Sequence, residues 1–439
     1  MSAEMLRAVQ EALGACTVPG RRIAVGLSGG MDSVVLLDLL QRLRETSGLS
    51  LSAVHVNHQI SPRAGQWEEF CGALCARLGI ALAVRRVQVP QGGAGLEAEA
   101  RRLRYAAYAA TDADFVALAH HLDDQAETIL LQLMRGAGPR GLAAMPLLRA
   151  QPGAPAILRP LLECRRSRLA EYARARGLEW VQDDSNGDPR HDRNFLRNEV
   201  LPALEARFPA YRETMARAAR NLADQASLAE ELARLDAGPG GLDAVAVERL
   251  RELPHARALN LLRALFAMRG LRMPPRARLQ EALRQCREAR GDAQIDVTFE
   301  GASLRCYRGS VQLVQPEGEL PPAWSSAWDG CGELVLPQGC GVLRARAVTG
   351  TGIARRHFDA GRATVCGRSG GERMQAGHDR PRRTLKNLLR EHAVAPWQRR
   401  SMPLVLVGGE LAWAPGIGVA VPFRASGSEP GVAPEWEPG

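Results

Sequence analysis

The feature that most limits what this chain can become is an alternation of two periods, sustained from the start to about residue 200. Short apolar runs that read as strands (Arg22–Leu27, Leu51–Val56, Ala81–Val89, Phe115–Ala119) are separated by stretches with helical spacing (Val34–Leu43, Trp67–Leu78, Leu96–Ala110, Ala126–Met134). Strands that recur only after a helix cannot be joined as hairpins. They pair in parallel, with the intervening helices covering both faces of the sheet. The expected fold class is therefore α/β, with an N-terminal doubly wound parallel sheet over residues 1–205.

At 439 residues the chain exceeds what one compact core supports, and its character changes after residue 205. Met215–Leu235, Val245–Leu253, Ala256–Arg269 and Arg276–Arg287 carry helical periods, and Gln294–Phe299, Ser303–Tyr307 and Val311–Val314 read as short strands. Residues 206–315 are thus expected to form a mainly helical domain. A Pro-rich break at Pro316–Pro322 reads as a linker, and residues 325–425 as a small α/β domain around one helix, Arg383–His392. The Pro-, Gly-, Ser- and Glu-rich segment Pro422–Gly439 is expected to be disordered.

No apolar run is long enough to span a bilayer, and the first residues place Glu4 and Glu11 on a helical pattern, unlike a signal peptide; a cytoplasmic protein without a membrane partner is expected. The nine cysteines include no CxxC pair, which argues against a disulfide framework, and Cys71 and Cys75 read as packing residues of one helix. A net charge of +9 suits a polyanionic partner. The sequence allows a homodimer without requiring one.

The strand Arg22–Leu27 runs directly into Ser28-Gly29-Gly30-Met31-Asp32-Ser33 and then an apolar helix. Two glycines let the backbone approach a ligand, while Ser28, Ser33 and the helix-end N–H groups can grip phosphate oxygens. The string has neither the GK[ST] of a Walker A loop nor the GxGxxG of a dinucleotide fold. SGGxDS after an apolar strand resembles the pyrophosphatase loop of ATPases that cleave between the α and β phosphates; in such a site Asp32 repels the triphosphate unless a cation lies between them, and a hard oxygen ligand there suits Mg²⁺.

Three further segments fall where parallel strands end, the usual place for ligands in open α/β sheets. His55-Val56-Asn57-His58 closes the second strand. Leu96–Tyr105 is a charged helix after the glycine-rich stretch Gly92–Gly95, with Arg101 and Arg104 on one face. Ala119-His120-His121-Leu122-Asp123-Asp124-Gln125-Ala126-Glu127-Thr128 passes from strand to helix, with Asp124 and Glu127 three apart. Asp123 or Asp124 could equally cap that helix.

SGGMDS, HVNH, LEAEARRLRY and AHHLDDQAET, in this order, resemble the tRNA(Ile)-lysidine synthetases, within the wider group of pyrophosphatase-loop (PP-loop), adenine nucleotide alpha hydrolase-like ATPases. Arg159–Leu162, Asp183–Asn186, Arg193–Arg197, Gly370–Arg373, Leu385-Lys386, Pro396-Trp397 with Arg399, and Gly416–Val419 extend the similarity over nearly the whole chain. Ala395 departs from it, standing where a second proline is expected. The resemblance implies adenylation of the wobble cytidine of a tRNA(Ile) with a CAU anticodon, with ATP cleaved to AMP and pyrophosphate, followed by displacement of AMP by free L-lysine. The modified base then reads AUA instead of AUG.

On this reading Ser28, Gly29, Gly30, Met31, Asp32, Ser33, His55 and His120 bind ATP, Asp32 holds Mg²⁺, and Asp32, Arg101 and Asp124 are catalytic. Asp124 and Glu127 bind lysine. Arg193, Arg197, Arg383, Lys386, Arg390 and Arg399 bind tRNA; Arg383, Lys386 and Arg390 form a stripe at three- and four-residue spacing, and Lys386 is the chain's only lysine. The alternatives are a PP-loop tRNA thiolase, which generally needs a cysteine pair or an iron–sulfur cluster, and a small-molecule amide-forming ligase.

Overall fold

The computed structural model describes residues 2–14, 20–90, 96–182, 192–288, 295–315, 323–337, 339–359, 361 and 363–438. The expected motif segments Gly92–Gly95 and Asp183–Asn186, and the linker Pro316–Pro322, lie outside the described residues. The chain packs as two compact units, Met1–Ala229 and Glu230–Gly439.

In the first unit the strands are β1 (Arg22–Gly26), β2 (Ser50–Asn57), β3 (Ala81–Arg86), β4 (Phe115–Ala117), β5 (Leu148–Gln151) and β6 (Ala154–Leu158). They form one sheet in the order β3-β2-β1-β4-β6-β5. Ile23 is paired in parallel with Leu51 on one side and with Phe115 on the other, and only β5 runs antiparallel, against β6. The helices are α1 (Ser2–Gly14), α2 (Met31–Ser47), α3 (Ala64–Leu78), α4 (Leu96–Ala109), α5 (Leu122–Met134), α6 (Pro139–Leu142) and α7 (Arg166–Ala175).

Successive side chains of a strand point to opposite faces, and β1 shows both being used. Ile23 and Val25 join the core formed with Val35, Leu36, Leu39, Cys71 and Leu169, while Ala24, between them, packs with Val54, Tyr108, Val116 and Ile157. The sheet is thus covered on both sides, as the alternating periods predict. Each fully buried leucine of α2 contributes on the order of 1.5–3 kcal/mol, which fixes this helix and the loop before it. The order turns back between β1 and β4, so the crevice over their C-terminal ends is the switch point of the sheet.

After α7 come α8 (Asp192–Phe195), a wide i→i+5 turn at Leu196–Val200, α9 (Leu201–Arg207) and α10 (Tyr211–Ala237). The second unit holds two apolar cores. One packs α11 (Val247–Glu252), α12 (His255–Met268) and α13 (Arg276–Glu288) against an antiparallel sheet of Val245–Ala246, Ser310–Val314, Ala302–Tyr307 and Asp296–Phe299. Val245–Leu253, expected as one helix, divides into a short strand and α11, because Val245 pairs with Val311.

The other core lies among two antiparallel sheets and the helix Leu385–Glu391. Two expectations are corrected here. The segment Pro430–Glu437 is a strand, paired with Val342–Thr349 at eight positions, not a disordered tail. Its glycine has a packing reason: a Cβ on Gly431 would stand 2.0 Å from the Thr351 carbonyl oxygen. The helix is shorter than Arg383–His392, since Arg383 and Thr384 form a strand against Arg373 and Met374. No helix among the described residues is long and apolar enough to cross a membrane.

Candidate active site

The phosphate loop is held by hydrogen bonds among its own residues. Gly29 has φ +87°, and a Cβ there would lie 2.9 Å from Val181 Cγ2, so only glycine lets this turn pack. The Ser33 hydroxyl donates to the Gly30 carbonyl at 2.9 Å, Ser28 Oγ lies 3.1 Å from Ser33 Oγ, and the Gly30 N–H donates to Ser28 Oγ at 3.3 Å. Gly30 caps α2 with no side-chain acceptor. The first N–H groups of α2 therefore point, unspent, out of a helix end that carries partial positive charge.

Asp32 sits in that first turn. Its Oδ2 lies 3.7 Å from His121 Nε2 and 3.7 Å from Arg166 Nε, while Oδ1 is buried with no hydrogen-bond partner. Burial pushes this carboxyl up, but His121, Arg166 and Arg197 together outweigh it and hold the group below the usual range. An ionised, buried, unanswered oxygen beside a phosphate cradle fits a hard cation. Among the described residues no cluster of three His, Cys, Asp or Glu could hold a metal ion.

His121 is the residue that the sequence reading passed over. It is the N-cap of α5, and its backbone N–H donates to Asp124 Oδ2 at 3.0 Å while the Asp124 N–H donates to its Nδ1 at 3.3 Å. Burial pushes His121 down, but Asp32, Asp124 and Asp123 outweigh it and raise its proton affinity above that of an ordinary histidine. The HH pair was visible in the sequence; which ring turns toward the loop is decided by the cap geometry.

Asp123 accepts from the Arg166 N–H at 2.8 Å and from Arg212 Nε at 2.5 Å, tying α5 to α7 and α10. Glu127 is 1% exposed and takes Arg197 on both oxygens, at 2.7 and 3.0 Å. Arg197 Nη2 also lies 3.5 Å from Asp124 Oδ1. So Arg197, expected on the RNA, and Glu127, expected on lysine, are partners of each other. A cavity of about 840 Å³ opens over these groups, lined among others by Gly30, Asp32, Arg166, Trp180, Arg197 and Arg212.

His55 is buried and its Nδ1 lies 2.8 Å from the Leu27 carbonyl, so it buttresses the end of β1. His120 is held by Arg159, with Nδ1 accepting from Arg159 Nε at 3.3 Å. Burial, then Arg159, Arg101 and Arg193, push it down to about 3. Arg101 is exposed on α4 with its Nη2 3.4 Å from the Tyr105 hydroxyl.

In the second unit the expected stripe is broken. Arg383 is on a strand and pairs with Glu391 at 2.6 Å, whereas Lys386 and Arg390 stay exposed on the helix. Arg399 donates to the Val394 carbonyl at 2.9 and 2.6 Å and to Tyr307 Oη at 3.0 Å, which spends most of its hydrogen-bonding edge inside the protein.

Residues 1–204 match the PP-loop domain family, residues 246–312 the TilS substrate binding domain and residues 363–436 the TilS substrate C-terminal domain. A tRNA(Ile)-lysidine synthase of Azoarcus sp. (strain BH72) is 44% identical, covering 100% of this chain and 97% of its own length. That of Nitrosomonas europaea is 42% identical over 96% of this chain and 93% of its own, and that of Aromatoleum aromaticum 40% identical over 96% and 99%. With the PP-loop sheet, its phosphate cradle and both accessory domains present in one chain, this protein belongs to the tRNA(Ile)-lysidine synthases, enzymes built on a PP-loop ATPase domain.

Proposed function

We propose that this chain joins free L-lysine to C2 of the wobble cytidine of a tRNA(Ile) with a CAU anticodon, in the cytoplasm, at the expense of ATP. The observation that carries the reading is the unpartnered Asp32 Oδ1 beside the uncapped end of α2. In the first step cytosine O2 attacks the α-phosphorus, the bond to the β-phosphate breaks, and pyrophosphate leaves. In the second an amine of lysine adds at C2, loses a proton, and expels AMP.

Ser28, Ser33 and the free N–H groups of α2 hold the phosphates, and Arg166 and Arg197 flank Asp32 to offset charge on the leaving group. Mg²⁺ on Asp32 would neutralise the departing pyrophosphate. Asp124, by accepting the backbone N–H of His121, sets the imidazole against Asp32. The lysine ammonium needs a carboxylate. Arg197 holds both oxygens of Glu127 at 2.7 and 3.0 Å but stands 3.5 Å from Asp124 Oδ1, so Asp124 has the less engaged oxygen and is the primary partner, while Glu127 acts through Arg197.

Two features support lysine ligation over thiolation. Cys71 and Cys75 on α3 are buried, and burial pushes their thiols up to about 12 and about 11, away from nucleophilic thiolate. The basic accessory domains also favour an RNA over a small molecule. The test combines the purified chain with ATP, Mg²⁺ and the tRNA(Ile) transcript, then adds L-lysine or a sulfur donor separately. Pyrophosphate release that needs tRNA, and AMP release that needs lysine, are expected. Release independent of tRNA, or driven by the sulfur donor alone, overturns the proposal.

A further inference from the structure

Outside the cavity, four arginines gather around Tyr105 and His120, and none of them is in an ion pair among the described residues. The guanidinium of Arg101 lies 5.1 Å from the Tyr105 ring centre, and that of Arg149, from edge strand β5, lies 5.9 Å from the same ring. Behind them Arg159 is buried, donating from Nη1 to the Pro146 carbonyl at 2.8 Å and from Nε to His120. Arg193, on α8, is close enough for its charge to help drive the proton from His120.

Among the described residues none of Arg101, Arg149, Arg159 or Arg193 forms an ion pair. Their neighbour Arg102 shows what is missing, since it pairs with Glu99 at 2.6 Å. None of the four lines the cavity over Asp32. Gathering positive charges without a counter-charge is unfavourable, and burial with the neighbouring arginines lowers the proton affinity even of Arg159. Such a cluster suits a ligand that brings the negative charge. The Tyr105 ring holds two guanidinium groups by cation–π contact, Arg101 also reaching the Tyr105 hydroxyl through Nη2, and their remaining planar N–H donors match phosphate oxygens.

We propose that Arg101, Arg149 and Arg193 form a second anion site, which takes the phosphodiester beside the target base of the RNA, while His120, held through Nδ1 by Arg159, presents its Nε2–H to that nucleotide. This rests on the RNA substrate proposed above. The triphosphate of ATP has its own cradle at Ser28–Ser33. Arginines carried by three separate elements, α4, β5 and α8, suit a polymer backbone better than a single compact nucleotide.

The experiment is an equilibrium titration of the full chain with tRNA(Ile) at several salt concentrations, for wild type, Arg149→Ala and Arg149→Ala/Arg193→Ala, with ATP binding measured in parallel. Arg149 is exposed, so its truncation leaves the core intact. The expected result is tRNA affinity about tenfold weaker in the double variant, a salt slope lower by about 0.7–1 unit per arginine removed, and unchanged ATP affinity. Arg149→Lys should recover part of the loss. Unchanged tRNA affinity and slope overturn the site, as does a loss confined to ATP. Because the titration reads binding and not turnover, the two proposals fail separately. Variants that bind tRNA like wild type sink this site alone, whereas tRNA binding through these arginines without lysine-dependent AMP release sinks only the reaction.

Discussion

Asp32 Oδ2 stands 3.7 Å from His121 Nε2, so the first turn of α2 and the N-cap of α5 meet as a carboxylate–imidazole pair over the cavity floor. Replacing the carboxylate keeps the shape and removes the charge. Asp32→Asn is expected to slow tRNA-dependent pyrophosphate release by about two to three orders of magnitude while tRNA affinity stays near wild type. A release rate near wild type would remove Asp32 from the metal and phosphate chemistry.

The same pair sets a pH dependence. His121 has a folded proton affinity above its ordinary value of 6.5, so its contribution to stability is full below 6.5 and is lost as pH rises through the raised value. Asp32, held below 3.8, contributes above 3.8 and loses that contribution as pH falls through its lowered value. Thermal melts of wild type and His121→Gln should therefore converge as pH rises above 6.5. Nitrogen-detected titration of His121 in Asp32→Asn should show its midpoint falling; an unmoved midpoint would mean that Asp32 does not hold the ring.

Arg197 and Glu127 form a largely desolvated bidentate pair, with Glu127 1% exposed. Arg197→Met leaves that carboxylate buried and unpaired, and is expected to cost roughly 3–5 kcal/mol in denaturant unfolding. For lysine use, Asp124→Asn should raise the apparent KM for lysine more than Glu127→Gln does. The reverse order would return Glu127 to direct contact with the substrate.

Lys386 and Arg390 are the exposed cations of the helix Leu385–Glu391. Lys386→Ala is expected to weaken tRNA binding and lower its salt slope by about one unit, with ATP binding unaffected. An unchanged slope would make Lys386 an ordinary solvated side chain.

Arg399 behaves differently because its donors are spent on Val394 and Tyr307. Arg399→Ala should lower the unfolding free energy by about 1.5–3 kcal/mol and leave the salt slope of tRNA binding where it was. A lower slope at unchanged stability would restore Arg399 to the RNA surface.

Most of the catalytic framework was legible in the sequence because it depends on local periods. Ile23, Ala24 and Val25 alternate between two cores, the helix after Ser28–Ser33 has its own apolar periodicity, and the phosphate loop is one contiguous string. A loop of six residues flanked by strand and helix carries its geometry with it. The hairpin of β5 and β6 was not read, since runs as short as Leu148–Gln151 and Ala154–Leu158, without a strict period, look alike as strand or loop.

Partner choice was decided only by the tertiary structure. Asp124 and Glu127 share a helix side, which is all that spacing can say; that one caps against His121 while the other is closed by Arg197, 70 residues away, follows from how α5 meets the turn at Leu196–Val200. Arg383, Lys386, Arg390 and Arg399 are alike in sequence, yet Glu391 takes the first, Val394 and Tyr307 take the last, and only the middle two are left to solvent. The tail Pro430–Glu437 has a composition that suits disorder, but its order comes from eight pairings with a strand about 88 positions earlier. Periodicity is written into neighbouring residues and so fixes helices, strands and the phosphate loop; charge neutralisation and strand pairing depend on which distant groups packing brings within reach, and no local pattern encodes that.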